Sequence, residues 1–343
     1  MLSDYLATRD NNYNLIRVLA AIAVLYSHSF DLVSPVNHEP FLPTIGLSAS
    51  RIGVDVFFVI SGFLIARSFI HKKSLLAFAR SRVLRIYPAL IVSVLFCIGC
   101  VGWHFTTLPT TDYFFNENTI KFFTRNSTLY SEPKYNLPGV FSKNTLSAVN
   151  GSLWTLPYEI RLYLYLTLIG LFLQLFKKRA SLDLTKRLVL LIVISLSCLN
   201  LYNTLLANDK SHFVHLAAMF SLGSTFFIFA NRISLSSKLF AALIAALLFS
   251  SANETIFFVL YSFALPYIVL YLVYIPKGKI RQYNKFGDYS YGIYIYAFPI
   301  QQSLVALIPN ISTYQLMIGA FMFTLIMAIL SWKLIEQPAL NYK

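Results

Sequence analysis

The 343-residue chain is expected to form an all-α polytopic membrane protein, a bundle of about ten transmembrane helices with both termini cytoplasmic. Three observations lead there. Hydrophobic residues make up 57% of the chain and charged residues only 12%, about half the charged share of an ordinary soluble protein. The apolar residues fall in repeated blocks of the length that crosses a bilayer, about 20 residues. The charged residues lie between those blocks, with the basic ones concentrated in alternate loops. A net charge of +14 would suggest nucleic-acid binding in a soluble protein, but here Lys and Arg are not gathered on one exposed face. The expected partner surface is therefore membrane lipid and no nucleic acid.

The first block, 13–30, has the apolar character of a signal-peptide core. It contains Arg17, however, and runs into Ser27-His28-Ser29-Phe30 instead of a small-residue cleavage site, so it is expected to be a retained first span. Further spans are expected over 53–70, 86–104, 153–176, 187–206, 213–230, 237–251, 255–275, 288–308 and 314–335. One set of loops carries Arg67, Lys72, Lys73, Arg80, Arg82 and Arg85, then Lys177, Lys178, Arg179, Lys186 and Arg187, then Arg232 and Lys238, then Lys277, Lys279, Arg281 and Lys285. The opposite loops hold only Arg51, Lys121, Arg125, Lys134, Lys143 and Lys210, so the richer set is expected to be cytoplasmic. The loop over about 105–152 is outside by this reckoning and too long for a simple connector. It is expected either to cover a polar substrate or to pack without one. Residues 1–343 form a single domain, with no internal repeat and no appended soluble domain expected. Cys97, Cys100 and Cys198 sit in apolar stretches, so neither a disulfide framework nor a thiolate metal cluster is expected.

Ionisable groups inside a span are costly and mark candidate functional positions. Arg17 and His28, eleven positions apart, emerge from nearly the same face of the first helix and stand about 16 Å apart along its axis. Asp55, near the start of the second span, and Glu159, one turn into the fourth, fall at the depth of His28. A histidine with carboxylates at its level can act as a general base whose tautomer a carboxylate fixes. A plainer reading remains open, in which Arg17 snorkels, His28 lies at the interface, and the two acids complement helix dipoles. Arg82 and Arg85 share a helix face, and guanidinium forks suit phosphate oxygens; alone they would serve equally as positive-inside anchors. The ninth span carries Tyr294, Tyr296, Gln301 and Gln302, whose buried polar groups should face the bundle or a wet cavity.

Taken together, Arg17 with His28, Gly53-Val54-Asp55-Val56-Phe57-Phe58-Val59-Ile60-Ser61-Gly62-Phe63, Arg82-Val83-Leu84-Arg85-Ile86-Tyr87-Pro88, Trp154 with Glu159, Ser290-Tyr291-Gly292-Ile293-Tyr294, and Ile335-Glu336-Gln337-Pro338 resemble, in order, the acyltransferase-3 family of integral membrane O-acyltransferases. The resemblance spans nearly the whole chain. It implies a bacterial cytoplasmic-membrane enzyme that moves an acyl group, usually acetyl from acetyl-CoA, onto a carbohydrate hydroxyl of O-antigen, capsule, exopolysaccharide or peptidoglycan. Two departures matter. Ala297 stands where many members carry histidine, and the chain is expected to leave no room for the extra esterase-like domain common in peptidoglycan-modifying members. A stand-alone surface-polysaccharide O-acetyltransferase is the expectation.

On that reading His28 is the base, Glu159 or Asp55 orients it, and Arg17, Arg82 and Arg85 hold the acetyl-CoA phosphates. Trp154, Tyr294, Gln301 and Gln302 are expected to bind substrate, which would be the polysaccharide or its lipid-linked precursor, and no metal is expected. Ser61 offers a covalent alternative, for which the sequence supplies no adjacent base. From another class, a secondary transporter using Arg17, His28 and Glu159 for proton or anion coupling is the rival reading.

Overall fold

The computed structural model describes residues 1–8, 10–34, 39–71, 74–175, 182–207 and 211–342. The long helices are α1 (Tyr13–Val33), α2 (Ala49–His71), α3 (Leu75–Phe96), α4 (Leu156–Leu175), α5 (Leu182–Leu205), α6 (His212–Ile228), α7 (Ser237–Ser250), α8 (Glu254–Tyr274), α9 (Ser290–Leu307) and α10 (Thr313–Ser331). No strand occurs among the described residues. Among the described residues, five helical stretches are long and apolar enough to cross a membrane, at Tyr13–Val33, Ala49–Ile70, Leu75–Phe105, Glu254–Tyr274 and Thr313–Leu340. Shorter apolar helices run over Val189–Leu205, His212–Ile228 and Ser237–Ser250. The protein is thus an all-helical, multi-pass membrane protein. Of the basic loop residues named above, Lys72, Lys73, Lys177, Lys178, Arg179 and Lys210 lie outside the described residues.

α2 is the central element, packed along α6 on one side and α1 on the other. Without a hydrophobic force between helices in lipid, close contact depends on small residues. A Cβ at Gly62 would come within 1.9 Å of the Phe220 carbonyl oxygen, and one at Gly223 within 2.1 Å of the Val59 carbonyl oxygen. The two glycines therefore set the α2–α6 spacing from both sides. α9 packs between α1 and α10 and is buried over its first thirteen residues, Ser290–Gln302, which explains why its tyrosines and amides point inward.

Several segments meet at one end of the bundle. Leu2 N–H donates to Ile233 O at 2.8 Å, Asn12 N–H to Val273 O at 2.8 Å, and Arg67 Nη2 to Leu6 O at 2.8 Å. Arg281 pairs there with Asp10. The N-terminus, the end of α2, the α6–α7 turn and the segment after α8 thus share one end.

Two expectations about boundaries change. The third helix begins at Leu75 and not near 86, because Ser74 caps it by accepting from Ala77 N–H at 3.1 Å; Arg80, Arg82 and Arg85 are helical. It then continues through a π-helical turn, Cys97–Gly102, to Phe105. The long loop is packed, with a helix over Glu117–Thr128. Buried Asn126 clamps it by donating to Lys134 O at 2.8 Å and accepting from Lys134 N–H at 2.9 Å, and Val149 N–H donates to Tyr135 O at 2.7 Å.

Candidate active site

Three cavities follow one another through the polar interior. The innermost, about 40 Å³, is lined by Arg17 of α1, Phe57 and Ser61 of α2, Glu159 of α4, and Tyr291 and Tyr294 of α9. Next comes a cavity of about 210 Å³ lined by His28, Arg51, Asp55, Trp154, His212 and His215 among others; it shares Val54 and Tyr294 as walls with the first. The third, about 330 Å³, is lined by Glu132, Pro133 and Tyr135 of the long loop and by Trp154, Pro157, Tyr158, Arg161 and His212. Trp154 and His212, with ring centroids 4.9 Å apart, are walls of both the second and the third. Burial raises the Tyr135 phenol above its ordinary pKa, so it faces the third cavity as a neutral hydrogen-bonding group.

His28 lies in the middle cavity, its ring edge-on to Phe298 at 5.1 Å. Its Nδ1 is 3.5 Å from Asp31 Oδ2, one helical turn onward. The carboxylate that the structure pairs with His28 is thus that of Asp31, where Asp55 or Glu159 was expected; the i,i+3 spacing on one helix was the available signal.

Asp55 instead faces α6 and α8. Its Oδ1 is 2.7 Å from His215 Nε2, its Oδ2 accepts from Tyr261 OH at 2.9 Å, and His215 Nδ1 is 3.3 Å from Asn200 Oδ1. This network joins α2, α5, α6 and α8. His215 was missed in the sequence, although an ionisable residue within an apolar helix is itself a signal.

Glu159 lines the innermost cavity, and His28 the middle one. The Glu159 carboxylate accepts from Ser61 Oγ at 3.1 Å and from Tyr163 OH. A carboxylate beside Ser61, absent from the sequence reading, is thus present, brought from α4 to α2 by tertiary packing. A serine hydrogen-bonded to a carboxylate that a third group orients has the arrangement of an activated nucleophile.

The three arginines separate. Arg17 and Arg85 both donate to Asp288 Oδ2, just before α9, and Arg85 Nη1 is also 3.8 Å from Glu336 Oε2. Asp288, missed in the sequence, is their shared counter-ion. Arg82 stands apart from this cluster, donating to Ser81 Oγ at 3.2 Å with its guanidinium 5.9 Å from the Phe78 ring. Arg17 and Arg85 are thus not free guanidiniums, because burial of two like charges demands a carboxylate between them.

Of the residues expected to bind substrate, Trp154 and Tyr294 are cavity walls, and the Tyr294 OH is held by Ser152 O and Thr155 Oγ1, both at 2.6 Å. Gln301 and Gln302 line none of the three cavities. Gln301 Nε2 donates to Leu25 O at 2.9 Å and Ser29 Oγ at 2.7 Å, tying α9 to α1. Gln302 Nε2 donates to Leu146 O and Ala148 O, both at 2.6 Å, and its Oε1 accepts from Asn144 at 2.7 Å, anchoring the long loop. Both amide Nε2 groups thus donate to backbone carbonyls inside the protein, where water cannot serve them. No cluster of three or more metal-ligating side chains occurs among the described residues.

A helical membrane bundle whose connected cavities are lined by a hydrogen-bonded serine–carboxylate pair, histidines and guanidinium groups has the groups that group transfer requires. The chain belongs to the acyltransferase-3 family: the acyltransferase domain model matches residues 10–335. It is similar to an O-acetyl transferase of Shigella phage Sf6, 28% identical over 97% of each chain. It is also similar to nodulation protein 10 of Rhizobium leguminosarum bv. viciae, 28% identical over 97% of this chain and 94% of that one. No solved structure matches the chain. The protein is an acyltransferase, and the transporter alternative gives way to that membership.

Proposed function

We propose that the protein moves an acetyl group from cytoplasmic acetyl-CoA to a sugar hydroxyl of a surface polysaccharide, such as O-antigen, capsule or exopolysaccharide, or of its lipid-linked precursor, in the bacterial inner membrane. The observation that carries this reading is the row of cavities that joins the Arg17 end of the bundle to the long outer loop through shared walls. The named activity of the Shigella phage relative supports the acetyl group.

Acetyl-CoA enters at the Arg17 end, where Arg82, Arg17 and Arg85 read its phosphates and Asp288 balances the latter two until the anion arrives. Ser61, Glu159 and Arg17 then line the path of the pantetheine arm. The narrow innermost cavity must widen at Val54 and Tyr294 for the thioester to reach His28. In the middle cavity His28, oriented by Asp31, takes the proton of the acceptor hydroxyl. The hydroxyl oxygen bonds to the thioester carbonyl carbon, the carbon–sulfur bond breaks, and the proton passes to the departing thiolate.

The Ser61–Glu159 hydrogen bond favours a second reading of the same reaction, in which Ser61 carries the acetyl group between donor and acceptor. The deciding experiment for the overall function incubates membranes containing the protein with acetyl-labelled acetyl-CoA and alkali-deacetylated polysaccharide, comparing wild type with His28→Ala at equal abundance. Label transferred by wild type alone is the expected result. No transfer by wild type to any such glycan would defeat the proposal.

A further inference from the structure

The outermost cavity has a wall chemistry that the transfer step does not use. Tyr158 and Trp154 contribute aromatic rings, Pro133 and Pro157 add apolar surface, and Glu132, Arg161 and Tyr135 add hydrogen-bonding groups. The guanidinium of Arg161 lies 5.6 Å from the Tyr158 ring centroid, and neither Arg161 nor Glu132 forms a hydrogen bond or ion pair with another described residue. On α4, Arg161 and Glu159 are separated by about 200° of helical rotation, so one helix sends a carboxylate to the innermost cavity and a guanidinium to the outermost.

We propose that this 330 Å³ cavity is a subsite for one uncharged sugar ring, the unit adjoining the one that is acetylated. The inference rests on the polysaccharide reading above. Aromatic faces pack against the C–H faces of a pyranose, while a carboxylate and a guanidinium bond its ring hydroxyls. One acidic and one basic group in the same cavity leave no net charge to select an ionised sugar. Size agrees, since cavities that hold small ligands start at about 300 Å³. The loop backbone is already fixed by the Asn126–Lys134 and Val149–Tyr135 hydrogen bonds, so binding does not have to fold the segment that carries Glu132 and Tyr135. The Trp154–His212 neck separates this cavity from that of His28, so consecutive sugar units occupy consecutive cavities. The enzyme then requires an acceptor of at least two units.

The test measures transfer to a monosaccharide and to oligosaccharides prepared from the deacetylated polysaccharide, with wild type, Tyr158→Leu and Arg161→Gln. Wild type is expected to show an acceptor KM about tenfold lower for oligosaccharide than for monosaccharide, and each variant is expected to erase that difference while the KM for acetyl-CoA stays unchanged. Sugar binding is read separately from Trp154 fluorescence in a Trp103→Phe, Trp332→Phe background, these being the three tryptophans of the chain. Transfer with acceptor KM values unmoved by both substitutions would overturn the subsite. If wild type transfers acetyl to no glycan, the functional proposal fails, and fluorescence alone decides: a saturable change with the oligosaccharide, lost in Tyr158→Leu, upholds a sugar site, and no change removes it.

Discussion

Asp55 and His215, 160 positions apart in the chain, meet at 2.7 Å between Oδ1 and Nε2. Both are almost completely buried, and Tyr261 and Asn200 complete a network across four helices. The acid expected to serve His28 is instead committed to holding α2 against α6 and α8.

His215→Ala removes one side of this pair and leaves the other buried. Such a loss costs about 3–5 kcal/mol. A clearly lowered melting temperature in detergent is the expected outcome; an unchanged melt would show that the network does not hold the helices.

Asp288 is the shared partner of Arg17 and Arg85. Asp288→Asn leaves two buried guanidiniums, Arg85 with Glu336 3.8 Å away and Arg17 with Glu159 across the innermost cavity. We expect a loss of about 3–5 kcal/mol, visible as reduced membrane abundance and a lowered melt. Wild-type stability would mean that the two arginines do not depend on this acid.

For the base, His28→Ala should reduce acetyl transfer about 100-fold or more at equal abundance. Asp31 is more than half exposed, so its orienting effect is weaker, and Asp31→Asn should cost about tenfold or less. Equal activity of His28→Ala and wild type would assign the proton transfer elsewhere.

Ser61→Ala separates the two routes. Direct transfer to the acceptor predicts activity within about threefold of wild type. A loss of about 1000-fold, with labelled acetyl trapped on wild-type protein when acceptor is omitted, would establish the covalent route through Ser61 and Glu159.

The sequence by itself determined the class of this protein. Long apolar blocks, scarce charge and loop-placed basic residues leave no soluble alternative, because a backbone in lipid must satisfy its hydrogen bonds within helices. Ordered motifs from Arg17 to Pro338 were enough to indicate the acyltransferase-3 family. Helix periodicity also placed Arg17 and His28 on a common face, since that relationship lies within one element. Pairings between elements were decided only in the tertiary structure. Depth along a span did not distinguish whether Asp55 faces His28 or His215, because depth fixes height in the bundle and says nothing of rotation about each helix axis. That rotation is set by close contacts such as Gly62 against Phe220 and Gly223 against Val59. Packing between other elements likewise brings Glu159 to Ser61, Asp288 between Arg17 and Arg85, and Gln302 to the loop carbonyls. In each case a buried polar group must find its partner inside the protein, and only packed helices determine which partner is within reach.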